Sequence, residues 1–119
     1  MDDRIVLRLT GEFDLAAAED FEAGVEDALS APLSELVLDL RGLQFVDSTG
    51  LRGILTLWET SQQDGFALSL LRAPPEVQRT FTVTGLDRVL PFSADGDSPA
   101  TEASPPGGGP GVASQVRDR

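Results

Sequence analysis

Short apolar runs alternate with segments of helical periodicity along most of the 119-residue chain. The run Ile5–Leu9 mixes β-branched residues with leucine and ends at a glycine turn, which is typical of a strand. The run Leu36–Leu40 is apolar except at Asp39, as expected of a strand covered on both faces in a parallel sheet, and we interpret Asp39 as its carboxyl end. Two more strands are predicted at Phe66–Leu71 and, along a sheet edge, Val89–Phe92.

Three helices are predicted between these strands. The first is capped by Asp14, carries acidic residues on its polar faces and ends before Pro32. The second starts within residues 47–50, and the third opens at Pro74-Pro75 and closes at Gly85. The second helix has its apolar residues at Leu51, Ile54, Leu55 and Trp58, of which Trp58 is expected in the core. The order βαβαβαβ with short connections predicts an α/β sandwich with right-handed crossovers.

The folded domain is expected to span residues 1–92. From Ser93 to Arg119 the chain is rich in proline and glycine, has no aromatic residue and has only two valines as large apolar groups. Such a segment cannot offset the entropy of ordering, so a disordered tail is predicted for residues 93–119. The tail has four acidic and two basic residues, a net charge of −2, so −9 of the total of −11 belongs to the domain.

The composition excludes much of the usual chemistry of enzymes. The chain has no Cys, no His and no Lys, which removes thiolate nucleophiles, Cys/His zinc sites, Ser-His-Asp triads and P-loop lysines. The net charge of −11 repels phosphate backbones and argues against nucleic acid as a partner. No run approaches the length of a membrane span, and the acidic start does not suit a signal peptide. A cytoplasmic protein without a cofactor is expected.

Three aspartates need separate consideration. Asp14, Asp39 and Asp47 could gather at strand ends and offer oxygen ligands to Mg²⁺ or an acid/base pair. Helix starts at Asp14 and Asp47 and a strand end at Asp39 are the stronger explanation of these residues. No metal site or catalytic residue is therefore predicted, and an enzyme on a related open α/β sheet is the disfavoured reading.

The candidate site is the loop Asp47-Ser48-Thr49-Gly50-Leu51. It delivers two hydroxyls to the start of a helix, where unpaired backbone N–H groups and the positive end of the dipole favour an anion such as a phosphate. Spacing alone leaves open the alternative that Ser48 or Thr49 is only the helix cap.

Four blocks of the sequence follow one another in a characteristic order. These blocks are Gly11-Glu12-Phe13-Asp14-Leu15, Leu38-Asp39-Leu40, Phe45-Val46-Asp47 with Ser48-Thr49-Gly50-Leu51, and Val77 and Phe81 followed by Thr84-Gly85-Leu86. With these blocks, residues 4–92 resemble the STAS family, and most closely its free-standing bacterial members, the anti-sigma-factor antagonists. The resemblance implies a STAS-like sandwich, a small mixed β-sheet covered by amphipathic helices.

The resemblance also implies a function and places it on particular residues. Ser48 matches the serine that an anti-sigma factor kinase of GHKL type phosphorylates; the unphosphorylated antagonist binds that kinase and releases the sigma factor, and a phosphoserine phosphatase reverses the modification. The switch loop and docking surface would then comprise Asp14, Asp47, Thr49, Gly50, Leu51 and Arg52. The rival reading is a constitutive STAS subunit of a phospholipid or ABC-type transporter, or of a stress-signalling scaffold.

Two departures from the family pattern carry expectations of their own. Family members usually have a further strand before the one predicted at Ile5–Leu9, so either the sheet lacks an edge strand or the sequence starts short of it. An exposed edge is expected to self-associate weakly. Arg52 stands where many family members have a small residue, and a long cation there could clamp a phosphate or reshape docking. Whether Phe45 and Leu51 belong to the core or to an interface is left open.

Overall fold

The computed structural model describes residues 4–93 and 113–118. Its elements are β1 (Arg4–Phe13), a 3-10 turn (Leu15–Ala17), α1 (Ala18–Ala28), β2 (Glu35–Val46), α2 (Ser48–Asp64), β3 (Ala67–Leu71), α3 (Pro75–Thr84), a second 3-10 turn (Leu86–Arg88) and β4 (Ala113–Asp118). The predicted α/β fold and its alternating order of strands and helices are confirmed.

The sheet has four strands in the order β3-β2-β1-β4. β1, β2 and β3 run parallel, and β4 pairs antiparallel with β1. Because the three parallel strands share one direction, the ends of β1 and β2 lie side by side, with Phe13 paired to Val46. The chain leaves both strands at this edge of the sheet and enters a helical turn each time.

One continuous core holds the helices on the sheet. Every residue from Leu36 to Leu40 is buried, as predicted for a strand covered on both faces. The stripe of α2 that includes Leu51 and Ile54 is buried as well, and Trp58 is partly buried and packs against the same core. None of the helices in the described ranges is long and apolar enough to cross a membrane.

The interpretation of Asp39 as a strand end is wrong, because β2 continues for seven residues to Val46. Asp39 lies inside the strand and is buried, with two arginines around its carboxylate. Arg41 donates to it from Nε and Nη2, each at 2.9 Å, and the Nε of the buried Arg8 on β1 lies 3.6 Å from Oδ2. These cations offset the desolvation that would otherwise exclude a carboxylate from a central strand.

The segment Val89–Phe92 does not form the predicted edge strand. The left-handed Gly85, with φ of 82°, leads into the second 3-10 turn, and only Phe92 makes a bridge, to Leu70 of β3. Pro91 has no N–H to extend that pairing.

The prediction of a disordered tail is wrong for residues 113–118, which form β4. Their ladder with β1 runs from Arg4 opposite Asp118 to Leu9 opposite Ala113. The composition argument considered only apolar burial, whereas β4 gains backbone hydrogen bonds along an edge that would otherwise be unpaired. Because β4 occupies that edge, the reason for expecting self-association through β1 is removed.

The rest of the predicted tail, residues 94–112 and 119, lies outside the described residues, and the domain boundary at residue 92 stays a prediction.

Replacing Asp39 with alanine should destabilise the fold by about 3 to 5 kcal/mol, because it leaves the buried Arg8 without its carboxylate. The matched control is Glu35→Ala, which removes a half-exposed partner of Arg4 at 3.3 Å and should cost less than about 1 kcal/mol. The free energy of unfolding in urea measures both effects. Equal losses in the two variants would contradict a structural role for the buried pair.

Candidate functional site

Two aspartates stand next to each other where β1 and β2 end. Asp14 and Asp47 each follow the paired residues Phe13 and Val46, and the N–H of Asp47 donates to the carbonyl of Phe13 at 3.2 Å. Asp14 Oδ1 accepts from the N–H of Ala17 at 3.2 Å, and Asp47 Oδ1 accepts from the N–H of Gly50 at 3.0 Å. Each carboxylate therefore caps one of two adjacent helical turns.

Ser48 is the first residue of α2, and Asp47 is its cap. The alternative in which Ser48 or Thr49 serves only as the helix cap is therefore wrong. The Ser48 side chain is exposed, and its hydroxyl has no hydrogen-bond partner within residues 4–93 and 113–118. Thr49 is half-buried beside it. The loop thus presents an unused hydroxyl at the positive end of a 17-residue helix.

Gly50 and Leu51 hold this loop against the sheet. A Cβ on Gly50 would lie 2.6 Å from the carbonyl oxygen of Phe13 and 2.8 Å from Cγ2 of Val46, so only glycine permits the close approach of α2 to the two strand ends. Leu51 is buried in the core. Burial places both residues behind the exposed part of the loop.

Two exposed apolar residues lie close to the loop along the chain: Phe45 is two residues before Asp47, and Leu15 directly follows Asp14. Phe45 is 48% exposed and Leu15 is 72% exposed, which sets them apart from the buried Leu51. The sequence left open whether Phe45 and Leu51 belong to the core. The structure places Leu51 in the core and Phe45 on the surface. Sequence analysis missed Leu15, although an apolar residue directly after the cap Asp14 and outside the helical stripe was an available signal.

A cleft of about 370 Å³ opens from the loop between α1 and α2. Its floor contains the rings of Phe13 and Phe21, whose centroids are 4.8 Å apart. Glu22 and Glu26 of α1 line one side, and Thr49 and Arg52 of α2 belong to the other. Arg52 is exposed, and it is the one basic residue in the two helices, against five acidic residues in α1 alone.

The three aspartates considered as metal ligands do not form one cluster. Asp14 and Asp47 cap adjacent turns, whereas Asp39 is engaged with arginines inside the sheet. Across the described ranges, no group of three or more His, Cys, Asp or Glu residues is arranged to hold a metal ion.

Gly50→Ala should destabilise the protein by about 1 to 3 kcal/mol, because its Cβ meets the backbone of Phe13, which cannot move aside cheaply. Gly53→Ala is the matched control one turn further along α2. The nearest atoms to its Cβ are at 3.5 Å, so it should be neutral or stabilise by up to about 1 kcal/mol through helix propensity. Thermal and urea unfolding measure the difference. An alanine tolerated equally at both positions would argue against the close approach at Gly50.

Two sequence comparisons identify relatives of this chain. The sequence model of the STAS domain matches residues 1–98. An anti-sigma F factor antagonist from Paenibacillus polymyxa is 30% identical over 89 residues, which cover 74% of this chain and 76% of that protein.

Two solved structures of SpoIIAA share the fold. The anti-sigma factor antagonist SpoIIAA in its unphosphorylated form aligns with a TM-score of 0.65 at 23% identity, over 80% of this chain and 84% of that chain. The Bacillus cell fate determinant SpoIIAA in its phosphorylated form aligns with a TM-score of 0.59 at 23% identity, over 80% and 86%. The chain therefore belongs to the STAS-domain family of anti-sigma factor antagonists.

Proposed function

We propose that this protein is a cytoplasmic anti-sigma factor antagonist whose binding is switched by phosphorylation of Ser48. The unphosphorylated form binds an anti-sigma factor kinase of GHKL type and releases the sigma factor from it. A phosphoserine phosphatase returns the modified form to the binding state. The observation that carries the proposal is the exposed hydroxyl of Ser48, which has no hydrogen-bond partner among the described residues and lies on a loop that Asp47 and Gly50 hold in place.

The exposure of Ser48 at the start of α2 supports its role as the phosphoryl acceptor. In the transfer, its Oγ forms a bond to the γ-phosphorus of ATP, the bond between that phosphorus and the oxygen bridging to the β-phosphate breaks, and ADP leaves. The hydroxyl proton passes to a base of the kinase. This chain supplies the acceptor hydroxyl and its rigid position, and the partner supplies the nucleotide and the reacting groups.

The exposed residues around Ser48 form the proposed docking surface. Thr49 and Arg52 contact the partner directly, and the apolar side chains of Leu15 and Phe45 supply the dry contacts that a stable interface needs. Asp14 and Asp47 fix the two helical turns beneath them. Gly50 and Leu51 contribute from behind by holding the loop in place.

Phosphorylation would weaken the complex because it adds negative charge where this chain already has two carboxylates and the kinase holds nucleotide phosphates. A phosphoserine adds about −1.5 to −2 charges at pH 7, beside the carboxylates of Asp14 and Asp47. A kinase that has just donated its γ-phosphoryl group still presents the phosphates of ADP close to the product serine. A like-charge pair at about 4 Å costs roughly 4 kcal/mol at an effective dielectric constant of 20, and a hundredfold loss of affinity needs only about 2.7 kcal/mol.

Ser48→Ala should retain binding to the anti-sigma factor, whereas Ser48→Asp should weaken it at least tenfold through repulsion at the loop. Both variants are used as baits in an extract of the native cell, the retained proteins are identified, and the Kd of the recovered kinase is then measured by calorimetry. Gln63→Asp adds the same charge at an exposed position near the far end of α2 and should leave the Kd unchanged.

The acceptor is then mapped with the recovered kinase and ATP. Thr49→Ala should still incorporate one phosphate, and Ser48→Ala should incorporate none, as judged by mass spectrometry of the intact protein. Retention of a transport ATPase or of other STAS proteins on both baits would instead indicate a constitutive subunit in which Ser48 has no switching role.

A further inference from the structure

Arg52 lies four residues after Ser48 on α2, so the two side chains are neighbours on one face of the helix, one turn apart. Both are exposed. Within the described part of the chain, neither side chain has a hydrogen bond or an ion pair. A cation and a hydroxyl thus lie within reach of each other, and neither is committed to another group.

The orientation of this pair favours an anion at position 48. Side chains on a helix tilt toward its amino end, so the turn that contains Ser48 is the one that the side chain of Arg52 can reach. An anionic residue four positions before a cationic one is the more stabilising of the two orders on a helix. A guanidinium also matches two phosphate oxygens at once, which a lysine ammonium does not.

Among the charged residues discussed around Ser48, Arg52 is the cation that could balance a phosphate there, and the others are acidic. Asp47 directly precedes Ser48, and Asp14 lies at the neighbouring strand end. Their carboxylates cap backbone N–H groups and would repel a phosphate dianion. Glu22 and Glu26 line the cleft along with Arg52, yet none of the ion pairs in the described ranges joins either of them to it. The guanidinium is therefore available to a phosphate on Ser48.

We propose that Arg52 is the intramolecular ligand of the phosphate on Ser48. This inference rests on the proposed phosphorylation of that serine and adds a second effect to it. Modification places negative charge on the docking surface and, in the same step, draws the one cation of α1 and α2 away from the partner and onto the phosphate. In the phosphorylated form, the phosphate on Ser48 and the guanidinium of Arg52 would bind each other within α2.

The test uses the full chain with phosphoserine incorporated at position 48 during synthesis, so that no kinase is needed. A ³¹P NMR titration gives the second pKa of the phosphate. Because a nearby cation favours the dianion, the pKa should be about 0.3 higher in Arg52→Gln than in the otherwise unchanged phosphoprotein. Arg79→Gln removes the same charge from an exposed position on α3 and should move the pKa by no more than about 0.1.

A second readout requires no substitution at Arg52. The Nε–Hε resonance of Arg52 should shift and exchange more slowly with water when Ser48 carries the phosphate. Equal phosphate pKa values in Arg52→Gln and Arg79→Gln, together with an unchanged Arg52 resonance, would overturn the proposal. Since the phosphate is installed without a kinase, a kinase that fails to modify Ser48 would refute the switch and leave this result unaffected.

Discussion

The parallel pairing of β1 with β2 is the constraint on which the rest of the site depends. It places Phe13 beside Val46, and the hydrogen bond from the Asp47 N–H to the Phe13 carbonyl then joins the two chain segments just beyond the strands. Both helical turns start at this junction, each with its own aspartate cap. The sheet therefore fixes the position of Ser48 through backbone contacts, and the site needs no conformational change to present its hydroxyl.

Neighbouring residues of the loop differ in exposure because they have different structural roles. Asp47 satisfies the N–H of Gly50, and Gly50 lets the helix approach the strand ends closely, so Ser48 is left without a structural task. A residue without a structural task can be modified at little cost to the fold. A phosphate on Ser48, as proposed, would have Arg52 one turn away as its counter-charge.

Local signals in the sequence were sufficient to predict the helices and most of the strand order. Capping residues, prolines and Gly85 indicated the three α-helices of the described chain, and the family motif singled out the loop at residues 47–51 that begins α2. The length of β2 was misjudged because a buried carboxylate inside a strand needs cations around it. Arg41 is two residues away in the sequence, but Arg8 comes near only when β1 pairs with β2. β4 was missed for a related reason, since its ladder to β1 joins residues more than a hundred positions apart. The cap could not be assigned among Asp47, Ser48 and Thr49, because all three residue types serve as caps.

The ladder between β1 and β4 also determines where the ends of the described chain emerge. Arg4 is paired with Asp118, so both ends lie at one corner of the sheet, at the start of β1. The ten residues of β1 separate this corner from the switch loop by about 30 Å. A fluorophore or a fused domain attached at this corner would therefore lie far from the loop at residues 47–51. A short linker between the paired ends, together with a new break in another loop, would give a circularly permuted chain.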